Sequence, residues 1–333
     1  MRSVLRVVSG LVLLGLTVVL PISAIERGVV APGSGSGGSA PVAGATAPAA
    51  SRFFAASSPF NRAIPSGAVV DARSGPVIAA LTAKGAVANL VQYGVPIYTA
   101  TSTTPRRTVR CDGPAGWGRC PLDGVRVPLA STWRPSPGSD GAMVVVDRAA
   151  GKAYEFWRAS RSDTSWTTSW GSVSSLTGSG WRSTATGSGA SRLGGVIRLS
   201  ELRAGRIPHA LVLQTDLACA GRFRAPATKT DGLSRSARCI PEGARVQLPP
   251  GLDLKRLGLT GTQLVIAKAL QQYGAYVIDK ADSRLGVSFE LARDAAGSTT
   301  GVAYRSIGLR HDYQRLDAVP WSKLRLLARW TGR

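Results

Sequence analysis

Residues 142–158 read AMVVVDRAAGKAYEFWR. Two apolar-rich runs, 142–147 and 152–158, flank the turn Arg-Ala-Ala-Gly, a pattern that predicts a β-hairpin. A four-residue turn pairs Val144 with Glu155 and Ala142 with Trp157, so Glu155 shares a face with position 142. Working outward, residues 243–248 alternate, with Ala244, Val246 and Leu248 on one side and Arg245 and Gln247 on the other. Further strands are predicted at 208–215, 275–279, 287–291 and 322–330. One helix is predicted over 263–273, where Ile266, Ala269, Leu270 and Tyr273 follow the i, i+3, i+4, i+7 spacing and Gly274 supplies the stop. Many short strands, with 39 Gly and 20 Pro among 333 residues, predict a mainly-β single domain, a β-sandwich or jelly roll.

The N-terminus predicts export. Arg2 and Arg6 precede residues 7–25, which carry no charge and are long enough to span a bilayer. Ile-Ser-Ala at 22–24 offers a cleavage site, so residues 1–27 read either as a signal peptide or as a retained membrane anchor. Both readings place the rest of the chain outside. Residues 28–52 are Gly, Ser, Ala and Pro with charge only at the edges, a composition that reads as a flexible tether. Residues 53–333 remain as the globular domain. Four cysteines in an exported chain read as two disulfides, for which three connectivities exist. The local pairs Cys111 with Cys120 and Cys219 with Cys239 are favoured, since each closes a turn-rich loop. Neither pair has the short C-x2–4-C spacing of a zinc site.

The ordered blocks SPFNRAIP (58–65), GSDGAMVVVD (138–147), YEFWRA (154–159), GSGASRLGGVIRLSEL (187–202), AGRIPHAL (204–211), RAPATKTDG (224–232), PEGARVQL (241–248) and ALQQYGAYVIDK (269–280) resemble a family of exported bacterial proteins common in actinobacteria. The resemblance covers nearly all of residues 57–330. It implies export and a shared fold, and it carries no mechanism. Many such relatives have His at the position of Ala142, in a GSD-x-H pattern, and some have His at the position of Lys229, in a PA-x-H pattern.

No nucleophile elbow, zinc-protease helix, phosphate loop or calcium-hand loop occurs, and no metal or cofactor motif is present. His209, in IPHALVLQTD, reads either as a half-buried structural histidine or as a base at the end of a sheet. Glu155 is the best carboxylate for catalysis, because the hairpin register sets it near position 142 and Trp157. Asp140 is a second acid of the same parity. Lys229, inside the larger disulfide loop, is expected to share a groove with Arg245 and Gln247, where the three would neutralise an acidic sugar. Residues 160–195 form a Ser/Thr/Gly-rich stretch with Trp166, Trp170 and Trp181. Trp157 and Trp181 are candidate sugar-stacking faces, and the opposing reading is that the tryptophans pin the stretch to the core.

A formal charge of +22 on an exported chain points to anionic cell-wall polymers, uronic-acid glycans or lipid headgroups rather than nucleic acid. The expected function is therefore action on, or binding of, a polysaccharide. A lyase, a glycoside hydrolase and a non-catalytic glycan- or envelope-binding protein all fit the residues. A monomer is expected, touching the membrane only through an uncleaved N-terminal segment.

Overall fold

The computed structural model describes residues 52–162, 165–297 and 299–329. The expected signal peptide or anchor at 1–27, and all of the tether except Arg52, lie outside the described residues. The expected hairpin is present: Met143–Asp147 pairs antiparallel with Lys152–Trp157, and Val144 stands opposite Glu155. Two further strands complete this four-stranded sheet. Ile97–Thr99 runs parallel to Met143–Asp147 at one edge, and Trp170–Ser175 runs antiparallel to Lys152–Trp157 at the other. Every residue of Met143–Asp147 is buried, because the sheet is covered on both faces. Val144, Val146 and Ala153 enter one apolar cluster, while Met143, Val145, Tyr154 and Phe156 enter another. An unbroken apolar run is what such a doubly covered strand requires.

The first of these faces packs on a seven-stranded sheet. Its strands, in spatial order, are Gln314–Arg315, Val87–Asn89, Gly286–Ser288, Leu211–Thr215, Ala275–Lys280, Arg245–Gln247 and Arg325–Leu326. Val212, Tyr276 and Ile278 face the hairpin sheet. Leu211, Leu213, Ala275 and Val277 face the other way and are covered by the helices Ser74–Thr82 and Gly261–Gln272. The far face of the hairpin sheet is covered by Val109, Val127 and Trp166, from a second four-stranded sheet. The order of layers is thus helices, mixed sheet, hairpin sheet, outer sheet. The mainly-β expectation holds. The largest sheet, however, contains two parallel pairs, Val87–Asn89 with Gly286–Ser288 and Leu211–Thr215 with Ala275–Lys280. Strands this far apart in the chain meet through long crossovers, which leave no local pattern to read.

The helix predicted at 263–273 spans Gly261–Gln272 and buries Val265, Ile266, Ala269 and Leu270. Gly274 ends it at a positive φ of 66°, where a Cβ would stand 2.3 Å from the Val246 carbonyl oxygen. The tail predicted as a strand over 322–330 is instead a short 3-10 turn, Trp321–Lys323, followed by the two-residue strand Arg325–Leu326, and Trp330 lies outside the described residues. Leu324 and Leu326 do point inward, but the backbone pairs only at the sheet edge. The stretch 160–195 holds three strands: Ser160–Arg161, Trp166–Thr168 and Trp170–Ser175. Ser, Thr and Gly give little alternation, so strand character here comes from partners and from tryptophan burial.

The two local disulfides are formed, Cys111–Cys120 and Cys219–Cys239. Both suit an oxidising compartment. Replacing Cys219 and Cys239 together by serine should cost about 3 kcal/mol by loop entropy. Urea unfolding under non-reducing conditions measures that loss, and a double variant as stable as the wild type would contradict it. Among the described residues no helix is long and apolar enough to cross a membrane.

Candidate functional site

A cleft of about 740 Å³ opens where the hairpin sheet, the stretch 184–192, the Cys219–Cys239 loop and the end of Ala275–Lys280 meet. Three tryptophans line one end. Trp157 and Trp170 are cross-strand partners in the hairpin sheet. Trp117 arrives from the Cys111–Cys120 loop, its ring centroid 5.7 Å from that of Trp157 and 6.0 Å from that of Trp170. A second, adjoining space of about 440 Å³ is lined by Asn89, Tyr93, Gln214, Ser288 and Tyr313 among others. Asp140, Thr186, Arg192, Asp279 and Lys280 border both spaces. Together they make one polar groove with an aromatic end and a charged middle.

The charged middle is built from the backbone outward. Trp157 Nε1 donates to Asp140 Oδ1 at 3.0 Å, and the Arg192 guanidinium stands 3.8 Å from Asp140 Oδ2. The Gly187 amide donates to Asp279 Oδ1 at 2.9 Å, and the Lys280 amide donates to Asp231 Oδ1 at 3.0 Å. Gly187 has to be glycine: a Cβ there would sit 2.3 Å from Asp231 Oδ1 and 2.8 Å from Asp279 Oδ1. Glu242, wholly buried, completes a set of three carboxylates, each with an oxygen within 4.8 Å of the others. Burial pushes Glu242 up to about 9, and its contact with Asp231 and the charge of Asp279 push the same way. Burial also pushes Asp279 up to about 8, with repulsion from Asp231 and Asp140 only partly offset by Arg192 and the Gly187 amide. The cluster therefore holds protons at neutral pH when no cation occupies it.

Of the residues singled out from sequence, Asp140, Trp157, Trp170 and Lys229 line this cleft. The others stand elsewhere. Glu155 is fully buried, accepting hydrogen bonds from Ser191 Oγ at 2.6 Å, Ser183 Oγ at 3.2 Å and the Arg192 amide at 2.8 Å. Burial raises its pKa, with the Ser174 and Ser191 hydroxyls and the Arg192 amide opposing. Its parity is the predicted one, but the face it shares with Ala153 is an interior between two sheets rather than a cleft wall. His209 is buried with Nε2 3.0 Å from Glu201 Oε1. Burial opposes ionisation of Glu201, yet His209 and Arg198 outweigh it and hold that carboxyl at about 2. Arg245 is buried, donating to the carbonyl oxygens of Tyr273 and Arg62, with its guanidinium 4.8 Å above the Tyr276 ring. Gln247 is buried and bonds the Gln271 carbonyl oxygen and the Arg325 side chain. The groove expected to join Lys229 to Arg245 and Gln247 is thus not formed; a covered sheet has no solvent face for them. Trp181 is buried and stacks on Phe60 at 5.2 Å, so it pins the chain to the core. Trp166 does the same, whereas Trp170 opens to the cleft. Ala142 is buried in the protein interior.

Sequence reasoning passed over Trp117, Arg192, Asp231, Glu242 and Asp279. A tryptophan inside a glycine-rich disulfide loop was a usable signal for Trp117. Asp279 and Glu242 sit at strand ends of separate sheets, and nothing local shows that they converge. Compared with family models, curated proteins and solved structures, the chain matches none.

Proposed function

We propose that this is an exported protein that acts on an anionic polysaccharide held in the groove, in a family of exported proteins sharing the fold. One observation carries the reading: a three-tryptophan wall, a set of cations and the carboxylates of Asp140 and Asp279 line the same cleft. Tryptophan faces stack on sugar rings. Arg192, Lys229 and Lys280 supply positive charge for uronate or other acidic groups along the polymer. In this reading Asp279 gives a proton to a glycosidic oxygen and Asp140 acts as the partnering carboxylate, the division of labour of a glycoside hydrolase. Hydrolysis is favoured over elimination because Asp140 and Asp279 line the cleft while both histidines stand outside it; elimination would have to use Tyr93 or Tyr313, from the adjoining space, as its base. The two disulfides and the apolar N-terminal segment support an extracytoplasmic location.

The purified protein should release reducing ends from at least one acidic polysaccharide in a panel, with no rise in the ultraviolet absorbance of unsaturated products. Asp279→Asn should lower the rate by about 100-fold or more, the usual worth of a general acid. Trp157→Ala should weaken binding by about tenfold. Unsaturated products would replace hydrolysis by elimination. Binding without turnover, lost in Trp157→Ala, would leave a glycan-binding protein, and no binding to any member of the panel would overturn the reading.

A further inference from the structure

Three segments bring their carboxylates together, Asp231 and Asp279 at the cleft lining and Glu242 buried behind it. Asp231 comes from the Cys219–Cys239 loop, Glu242 from the strand Ile240–Glu242, and Asp279 from Ala275–Lys280. Glu242 carries the argument. It is 0% exposed, and neither of its carboxylate oxygens has a hydrogen-bond partner of good geometry. They face the Asp231 carboxylate and the Thr230 hydroxyl. A buried carboxylate with so little to compensate its charge is among the costliest arrangements in a protein interior. Among the described residues no basic side chain forms an ion pair with any of the three, and Arg192 pairs with Asp140 instead. Asp279 and Asp231 are each fixed by a backbone amide, so main-chain geometry holds the cluster together.

We propose that Asp231, Glu242 and Asp279 form a binding site for a hard divalent cation, best suited to Ca²⁺. A set of oxygen ligands with no His or Cys excludes the usual zinc sites and selects Ca²⁺, Mg²⁺ or Mn²⁺. Calcium–oxygen distances are about 2.3–2.6 Å, so oxygens on opposite sides of one ion lie about 4.8 Å apart. The three oxygens here fall within 4.8 Å of one another. Mg²⁺ demands a near-ideal octahedron at about 2.0–2.1 Å and gives up its waters reluctantly, so a floor of fixed carboxylates suits the more flexible shell of Ca²⁺ better. Asp231 is exposed on the cleft side, which gives the ion an entry path and room for water to complete its shell. Three carboxylates against two positive charges leave one negative charge, and the cation takes the place of the protons that the empty cluster holds. The ion would also tie the disulfide loop to the seven-stranded sheet. The site stands without the glycan reading; a bound cation would hold Asp279 ionised, so the acid role given to Asp279 belongs to the cation-free chain alone.

The test uses the full chain stripped with EDTA and titrated calorimetrically with Ca²⁺, Mg²⁺ and Mn²⁺, with no glycan present. One Ca²⁺ per chain is expected, with a Kd of about 1 mM or tighter and with proton release, since the ligands must ionise to bind. Glu242→Gln should weaken binding by more than about 100-fold, beyond the range seen for outer-shell partners. Asp231→Asn, at an exposed side chain, guards against misfolding of the buried variant and should weaken binding by about tenfold or more. The absence of saturable binding by any of the three cations at about 10 mM, well above the weakest extracellular calcium modules, would overturn the proposal. So would unchanged affinity in both variants, and tighter binding of Mg²⁺ than of Ca²⁺ would overturn the calcium assignment. Calcium binding by a protein that takes no glycan would sink the glycan reading alone; glycan binding without any cation site would sink this one alone.

Discussion

Glu155→Ala is expected to unfold at a much lower urea concentration than the wild type, with a loss of about 3 kcal/mol or more. The carboxylate is fully buried and accepts from two serine hydroxyls and the Arg192 amide. Alanine leaves that amide buried without an acceptor and opens a cavity between two sheets, and each effect costs about 1–3 kcal/mol. Glu155→Gln should cost less, about 1–2 kcal/mol, because the serine hydroxyls can turn to accept from the new amide whereas the Arg192 N–H cannot. Read from the hairpin register alone, Glu155→Gln would abolish function and spare the melting curve. The structure reverses the expectation: stability falls first, and function suffers through the stretch 183–192 that Glu155 anchors and that carries Gly187 and Arg192 to the cleft. A wild-type unfolding midpoint in Glu155→Ala would refute this assignment.

In EDTA the protein should lose stability steadily as pH rises from about 5 to about 8, with a slope approaching 1.4 kcal/mol per pH unit for each group that keeps its proton only in the folded state. The groups are Glu242 and Asp279, held at about 9 and about 8 by burial and by mutual repulsion with Asp231. Both lie above their unfolded values. The folded chain therefore holds protons that the unfolded chain has already released. Their stabilising contribution is complete below the unfolded carboxylate range and is lost as pH climbs through the folded values. Glu201 and Asp71, held low by His209 and Arg198 and by Arg224 and Arg73 respectively, work in the opposite sense and lose their contribution only in acid. Melting temperatures across this range provide the measurement. Ca²⁺ should flatten the alkaline decline, because a bound cation favours the ionised carboxylates. A melting temperature that stays level or rises toward pH 8 in EDTA would show that the cluster is not proton-loaded.

The sequence by itself determined the local elements. The hairpin and its register follow from two apolar runs and a four-residue turn. The helix follows from its 3.6-residue period and its glycine stop. Both disulfides follow from even pairing within turn-rich loops. Each of these depends on neighbours a few residues apart, so the pattern that causes them is written locally. Only the tertiary structure decided which face of each strand meets water. Arg245, Gln247 and Glu155 alternate as a half-exposed strand would, yet all three are buried, because a further layer covers their sheets. Alternation gives the parity of a side chain, not what lies opposite it. The tertiary structure also assembled the acidic floor, from residues 231, 242 and 279 on a loop and two sheets. Their approach is set by crossovers and by the space left at Gly187, and neither has a period or a spacing in the chain.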